Sequence, residues 1–307
     1  MGKHQADTTT KFDYRPRQSR NPRADQAKYQ VDTTTEFGYP PDLYRFDNPA
    51  TFVESIDEVG DDDVARFAVE GYLAVRNVLE PREVTDVLDG LSHVLTSPGQ
   101  AEIQYESWAA DRVDTATGTE RMDLVRKFMW FVNEDSRLHG LATDERILRV
   151  VRQLTGSEDL TMFQDMALLK PPGGGREKPW HQDNAFFAYE PGTPIVGVWI
   201  ALDPATPENG CMHVIPGSHT EGPVVHFKRR DWQLCDDEVQ VTRDTVVPLP
   251  PGGVLFFHGL LHHGTPANRT DTRRRAVQLH YLPAGTPGVP QERRLEIFGS
   301  EGKDVTC

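Results

Sequence analysis

Cysteine is scarce in this 307-residue chain. There are three, Cys211, Cys235 and Cys307, and no C-x-x-C spacing occurs. So few thiols argue against a disulfide framework and against a thiolate zinc site. Long hydrophobic runs are missing too: none approaches the roughly 18 apolar residues that a membrane helix needs. The first twenty residues, MGKHQADTTTKFDYRPRQSR, lack the apolar stretch of a secretory signal. Positive charge is the scarcer sign, with Lys+Arg 33 against Asp+Glu 47 and a formal net charge of -14. Such a balance is a poor match for nucleic acid or anionic lipid. The expectation is a cytoplasmic protein of a reducing compartment, with no nucleic-acid or membrane partner. The short basic run Lys228-Arg229-Arg230 reads as solvated surface.

Hydrophobic residues at 37% and aromatics at 9% can supply a sizeable core. The mean hydropathy of -0.55 points to polar segments outside it. Residues 1–45 fit that description. They contain an imperfect repeat, Asp7-Thr8-Thr9-Thr10-Lys11-Phe12-Asp13-Tyr14 and Asp32-Thr33-Thr34-Thr35-Glu36-Phe37-Gly38-Tyr39. Two copies are too few for a solenoid. The segment reads as a flexible arm, or as one whose Phe/Tyr pairs dock on the domain or on a second subunit. A homodimer built through this arm stays open, as does the oligomeric state.

Residues 46–307 read as one domain. Asp61-Asp62-Asp63 ahead of Val64, Phe67 and Ala68 predicts a helix that Gly71 ends. Tyr72 to Val75 reads as a strand. Pro81 opens a second helix with Val84, Val87, Leu88 and Leu91 on one face. A third runs from about Asp144 to Leu154, so the first half is expected to be mainly helical. From about Leu160 the pattern changes to short strands between Pro/Gly turns: Thr161 to Leu169, Val196 to Leu202, Cys211 to Ile215, Val254 to Leu261 and Ala276 to Leu282. Evenly spaced short strands suggest a sandwich or closed barrel-like fold, and the whole is α+β.

The segment Pro179-Trp180-His181-Gln182-Asp183-Asn184 carries the chemistry. Side chains on a strand alternate, so His181 and Asp183 would share one face and could chelate one ion. Two histidines and one carboxylate on one face of an octahedron leave three positions open, the arrangement of non-haem Fe(II) oxygenases. His-x-Asp alone is weak evidence, because most single histidines are packed or surface residues. A second segment, Pro251-Gly252-Gly253 through Leu261-His262-His263-Gly264, reads as a turn feeding an apolar strand that ends in histidines. Arg274 follows at the start of a credible partner strand with Ala276, Val277, Leu279 and Tyr281. Within Arg273-Arg274-Arg275, alternation puts Arg274 on one face of the strand and Arg273 and Arg275 on the other.

These features together resemble the phytanoyl-CoA dioxygenase family of Fe(II)/2-oxoglutarate oxygenases. They are His181-Gln182-Asp183, Trp199, Asn209-Gly210-Cys211 leading to Val214-Ile215-Pro216-Gly217-Ser218-His219, the Gly253-Val254-Leu255-Phe256 turn and strand, and His263-Gly264 followed by Arg274. The stretch Phe67 to Leu79 belongs with them, and the resemblance covers about residues 60 to 285. It implies a double-stranded β-helix (jelly-roll, cupin-like) over about 160–285, with N-terminal helices packed on it. It implies His181, Asp183 and His263 as iron ligands, since the family's distal histidine precedes a glycine and a small hydroxyl residue, here Gly264 and Thr265. His258 is then expected as a packed histidine on the same strand, and His262 as pointing away from iron.

By the same matching, Arg274 and Thr265 would hold the far carboxylate of 2-oxoglutarate. Gln182, Trp199 and Met166 would lie near that cosubstrate, and Lys127 would reach it. Gln164, Phe186 and His213 are candidates for the substrate pocket. The expected reaction consumes O₂, converts 2-oxoglutarate to succinate and CO₂, and hydroxylates a small organic substrate; ascorbate would be an assay additive. Desaturation is an alternative outcome. Halogenases of this kind carry Ala or Gly at the Asp183 position, so the carboxylate argues against halogenation. A CoA thioester would favour a basic entrance, which this acidic chain does not advertise. Two other readings are a non-oxidative cupin-like metal protein and a catalytically silent jelly-roll binding module.

Overall fold

The computed structural model describes residues 12–14, 29–31, 38–97 and 99–299. Strands β1 (Phe12–Tyr14), β2 (Tyr29–Val31) and β3 (Phe52–Ser55) precede α1 (Asp61–Glu70), β4 (Tyr72–Asn77) and α2 (Pro81–Thr96). Then come β5 (Glu102–Tyr105), α3 (Gly118–Met122), β6 (Val125–Met129), α4 (Ser136–Ala142) and α5 (Glu145–Thr155). The second half holds β7 (Leu160–Lys170), β8 (Lys178–His181), β9 (Val196–Ala201), β10 (Met212–Val214), β11 (Phe227–Lys228), β12 (Trp232–Gln233), β13 (Thr245–Val247), β14 (Val254–His258), β15 (His263–Thr265), β16 (Arg274–Pro283) and α6 (Gln291–Phe298).

Local chemistry accounts for the helices. The Asp63 carboxylate accepts the Gly60 N–H at 3.1 Å and so caps α1. Gly71 stops it in the left-handed region, φ 80°, with its N–H on the Phe67 carbonyl. A side chain there would also strike the His219 ring, 2.4 Å from Nδ1. Helix α2 starts on Pro81 and buries Val84, Val87, Leu91, Val94 and Leu95, while α5 buries Ile147, Leu148, Val150 and Val151.

The fold is a jelly-roll. The large sheet runs β2-β5-β6-β7-β16-β9-β14-β4-β3, with β1 pairing on β7, and the small sheet runs β13-β10-β15-β8. Alternation along the central strands divides their side chains. Val196, Val198, Ile200, Val277, Leu279 and Tyr281 join the core against the helices. Trp199, Ala201, Leu255, Phe257 and Ala276 turn the other way and meet Met212 and Val214 of the small sheet.

Several expectations need correction. Helix outweighs strand in the first half, as expected, but β5 and β6, which were not foreseen, extend the large sheet beside β7. His258 and His263 are not on one strand: His258 ends β14 in the large sheet, whereas His263 opens β15 in the small one. Between them Gly259 donates to the Ile195 carbonyl and the chain crosses the sandwich. Arg230 is not solvated but buried, bonding Glu177 at 2.7 Å and Asp236 at 2.6 Å. Arg273 and Arg275 do leave the Arg274 face, but each grips a carboxylate, Asp123 and Asp203. Cys211 is a buried free thiol, while Cys235 is disulfide-bonded.

Parts of the N-terminal segment contact the domain. Strand β1 lies parallel to the start of β7, and the Tyr14 hydroxyl donates to Asp165 at 3.1 Å. Tyr39 stacks edge-on against Tyr44. The Thr-rich parts of the repeat lie outside the described residues. No helix among the described residues is long and apolar enough to cross a membrane.

Candidate metal centre and its cavity

Antiparallel pairing of β15 with β8 sets His263 directly across from His181. Their rings lie 4.2 Å apart, centre to centre. Asp183 arrives differently from the strand arithmetic: β8 ends at His181, and Asp183 opens the 3-10 turn Asp183–Phe186. The turn is pinned by Asn184 N–H donating to the Gly259 carbonyl. Asp183 Oδ1 stands 3.3 Å from His181 Nε2 and 3.6 Å from His263 Nε2. One ligand atom from each of the three residues falls within 4.8 Å of the others, a group able to hold one metal ion.

Backbone contacts fix the tautomers. His181 Nδ1 meets the Pro179 carbonyl at 2.8 Å, and His263 Nδ1 meets the Leu261 carbonyl at 2.9 Å. A carbonyl only accepts, so each Nδ1 carries a proton, and Nε2 is the ring atom turned towards Asp183. Burial pushes His263 down to about 3, with the neighbouring His181 acting the same way, so its imidazole is neutral. Burial works to raise Asp183, but His263 and His280 outweigh it and hold the carboxyl well below its usual range. A neutral His263 beside an ionised carboxylate is the combination that a divalent cation requires.

The sequence reading missed two residues here. His280 Nε2 donates to Asp183 Oδ2 at 2.7 Å, and Gln278 Nε2 donates to the same oxygen at 3.0 Å. They occupy Oδ2 and leave Oδ1 facing the two histidines. The signal was available: counting by twos along β16 from Arg274 reaches Gln278 and His280.

The three ligands open into a cavity of about 270 Å³. Of the residues singled out in the sequence, Lys127, Gln164, Met166, Phe186, Trp199, Thr265 and Arg274 line it. Gln182 and His213 do not. Gln182 alternates away from His181 and bonds the backbone at Gly222, Leu260 and Val224. His213 lies on the outer face of β10, opposite Met212, where Nδ1 bonds Asp244 at 3.0 Å under the Tyr44 ring. His258 and His262 also stay outside the cavity lining. Burial pushes each of them down to about 4.

At the inner end Arg274 is 2% exposed. Its guanidinium donates to the Leu168 carbonyl at 3.2 Å and lies 5.5 Å from the Trp199 ring centre. It has no carboxylate partner among the described residues, and burial lowers it to about 10. Its Nε, Thr265 Oγ1 and Trp199 Nε1 are buried without hydrogen-bond partners. A buried unpaired guanidinium costs several kcal/mol, and each orphaned polar atom roughly 1–3 kcal/mol. All three residues line the one cavity, and the guanidinium lacks a counterion, so they fit a carboxylate-bearing cosubstrate.

Relatives agree with this architecture. The chain is 26% identical over 270 residues to phytanoyl-CoA dioxygenase domain-containing protein 1 of Danio rerio, covering 74% of this chain and 91% of that one. It is 27% identical over 229 residues to the peroxisomal phytanoyl-CoA dioxygenase of Bos taurus, covering 70% of this chain and 66% of that enzyme. The structure of EvdO2 from Micromonospora carbonacea var. aurantiaca superposes with a TM-score of 0.57 at 24% identity, over 78% of this chain and 97% of that one. The sequence model of the phytanoyl-CoA dioxygenase (PhyH) family matches residues 67–276, which contain all three candidate ligands and Arg274, and the chain belongs to that family.

Proposed function

We propose that the protein is an Fe(II)- and 2-oxoglutarate-dependent dioxygenase that hydroxylates a small organic molecule. One observation carries this reading: a His181–Asp183–His263 cluster and an uncompensated buried Arg274 face one cavity. EvdO2, one structural neighbour, was crystallised in complex with 2-oxoglutarate. Iron with 2-oxoglutarate and O₂ supplies the oxidation, in which substrate C–H becomes C–OH and 2-oxoglutarate leaves as succinate and CO₂.

The chain's own residues bind and orient. His181, Asp183 and His263 would hold the iron from one side, leaving the cavity side open. Arg274 would donate two N–H groups to the far carboxylate of 2-oxoglutarate, with the Thr265 hydroxyl as a further donor. His280 and Gln278 would keep Asp183 turned so that Oδ1 faces the ion. Trp199, Met166, Leu168 and Phe187 wall the cavity and exclude water. Asp183 would supply a carboxylate ligand where a halide would otherwise bind, which favours oxygen transfer.

The test is succinate release from purified protein with Fe(II), 2-oxoglutarate and ascorbate. Turnover is expected, and Asp183→Ala or Arg274→Ala should abolish it. Unchanged turnover in either variant sinks the site assignment. Iron binding without any 2-oxoglutarate turnover would instead indicate a non-oxidative cupin-like protein.

A further inference from the structure

Residues 39–50, which precede the family match, fasten the back of the small sheet. They cross its outer face and meet all four strands in the order in which the sheet holds them, β13-β10-β15-β8. At β13, Ala50 N–H donates to the Val246 carbonyl and Val246 N–H to the Asn48 carbonyl, each at 2.9 Å. Asp244, which bonds His213 of β10, accepts the Arg45 N–H at 2.7 Å. Tyr44 stands edge-on to the His213 ring, and its hydroxyl abuts Gly264 of β15. At β8 the Tyr44 ring stacks on Trp180, 5.3 Å centre to centre, and the Trp180 indole N–H donates to the Leu43 carbonyl at 3.1 Å.

Alternation puts the iron ligands on the other face of the same strands. His181 follows Trp180, and His263 precedes Gly264. Their spacing depends on the β15–β8 ladder, which is weak by construction. Strand β15 has three residues and β8 has four, and β8 is the last strand of its sheet. His263 faces His181 and Thr265 faces Lys178, so Gly264 stands opposite two residues, Pro179 and Trp180. Proline has no N–H to give a ladder. A short, bulged ladder containing glycine specifies register poorly. Two imidazoles that share one ion must nevertheless keep one spacing.

Tyr44 enters the gap in that ladder. Glycine leaves room for it: a Cβ on Gly264 would lie 3.1 Å from the Tyr44 hydroxyl oxygen and 3.2 Å from the Trp180 nitrogen. The hydroxyl reaches the cavity wall, where it donates to Glu177 Oε1 at 2.8 Å. Arg230 holds the other carboxylate oxygen at 2.7 Å. One buried side chain on the outer face thus touches both histidine-bearing strands and a carboxylate of the cavity.

We propose that Tyr44 is a positioning residue that sets the spacing of His181 and His263 from behind the sheet, which makes residues 39–50 part of the metal centre. It acts through Trp180, Gly264 and Glu177 and touches neither metal nor cosubstrate. The proposal rests on the oxygenase reading, whose centre it extends to residues outside the 67–276 match.

Chelator competition with Fe(II) and Co(II) in the full chain tests this, with the visible absorption of bound Co(II) as a report of ligand geometry. Tyr44→Phe keeps the ring and removes the hydroxyl. Both affinities should fall about tenfold, as for other groups that orient metal ligands, and the Co(II) spectrum should change. Trp180→Phe drops the N–H to Leu43 and should give a smaller loss in the same direction. Leu91→Ala, in the core against the helices, is the stability control. It should cost more in chemical denaturation than Tyr44→Phe yet leave affinity and spectrum unchanged in the folded protein. Unchanged affinity in Tyr44→Phe, or an equal loss in Leu91→Ala, overturns the proposal. Amide hydrogen exchange of the metal-free protein separates the two readings. Tyr44→Phe should speed exchange in β8 and β15 about tenfold while α5 keeps its rate. Protein that shows this local loosening but binds neither metal loses the oxygenase reading alone. Protein that binds metal equally with and without the hydroxyl, at unchanged exchange, loses the positioning role alone.

Discussion

The two faces of strand β16 differ in every respect except their backbone. On the face towards the helices, Val277, Leu279 and Tyr281 are fully buried, and the Tyr281 hydroxyl donates to the Ala142 carbonyl. On the face towards the small sheet stand Arg274, Gln278 and His280. That face leaves Arg274 Nε and His280 Nδ1 unpartnered, and across the same cavity Trp199 Nε1, Thr265 Oγ1 and Gln164 Oε1 are unpartnered too. One face is finished by folding. The other is completed only by what binds to it, and it carries unfavourable free energy until then.

Perturbing each face separately should give separable effects. The largest is expected at the ligands: His263→Ala should reduce iron-dependent succinate release by about a thousandfold or more, since a catalytic metal supplies several kcal/mol of transition-state stabilisation. Its thermal midpoint without iron should change little. Leu279→Ala should do the reverse, costing about 2–5 kcal/mol in chemical denaturation while iron and 2-oxoglutarate affinities hold in the folded fraction. A matching loss of iron affinity there would break the comparison.

His280→Phe keeps the shape but removes the donor to Asp183. Iron affinity should fall about 10–100-fold, measured by competition with a chelator. The smallest effect is a gain. Lys127 is held at about 8, below its ordinary 10.5, so folding pays for its charge at neutral pH. That cost is complete below about 8 and disappears as pH rises to 10.5. Lys127→Met should therefore stabilise the ligand-free protein by about 1 kcal/mol at pH 7, with the gain shrinking to nothing near pH 10.5. A constant gain across that range would assign it to packing.

How much of this was legible depended on how local the cause is. Alternation set Arg274 on the face opposite Arg273 and Arg275, the acid run and Gly71 gave α1, and Pro81 gave the start of α2. The ligand set was legible through His181-Gln182-Asp183 and His263-Gly264. The spacing argument was nevertheless incomplete, because Asp183 reaches the centre from a turn that Asn184 and Gly259 pin across the sandwich. The chain stays apolar through Gly259-Leu260-Leu261, so nothing local marked the crossing that parts His258 from His263. A bulge in β6 at Arg126 is set by how that strand pairs with β5, about twenty residues earlier in the chain. A residue's sequence neighbours carry no record of such a pairing.

The double duty of β16 also bears on how such a protein can diverge. Inserting or deleting one residue within this strand would carry Arg274, Gln278 and His280 round to the helices and Val277 and Leu279 into the cavity, losing fold and chemistry in one event. The strand can therefore accept only point replacements, and those under two sets of demands. Strands β11 and β12 form a two-stranded sheet of their own, so a change of length between them shifts no register in the other two sheets, and lineages should part company there first.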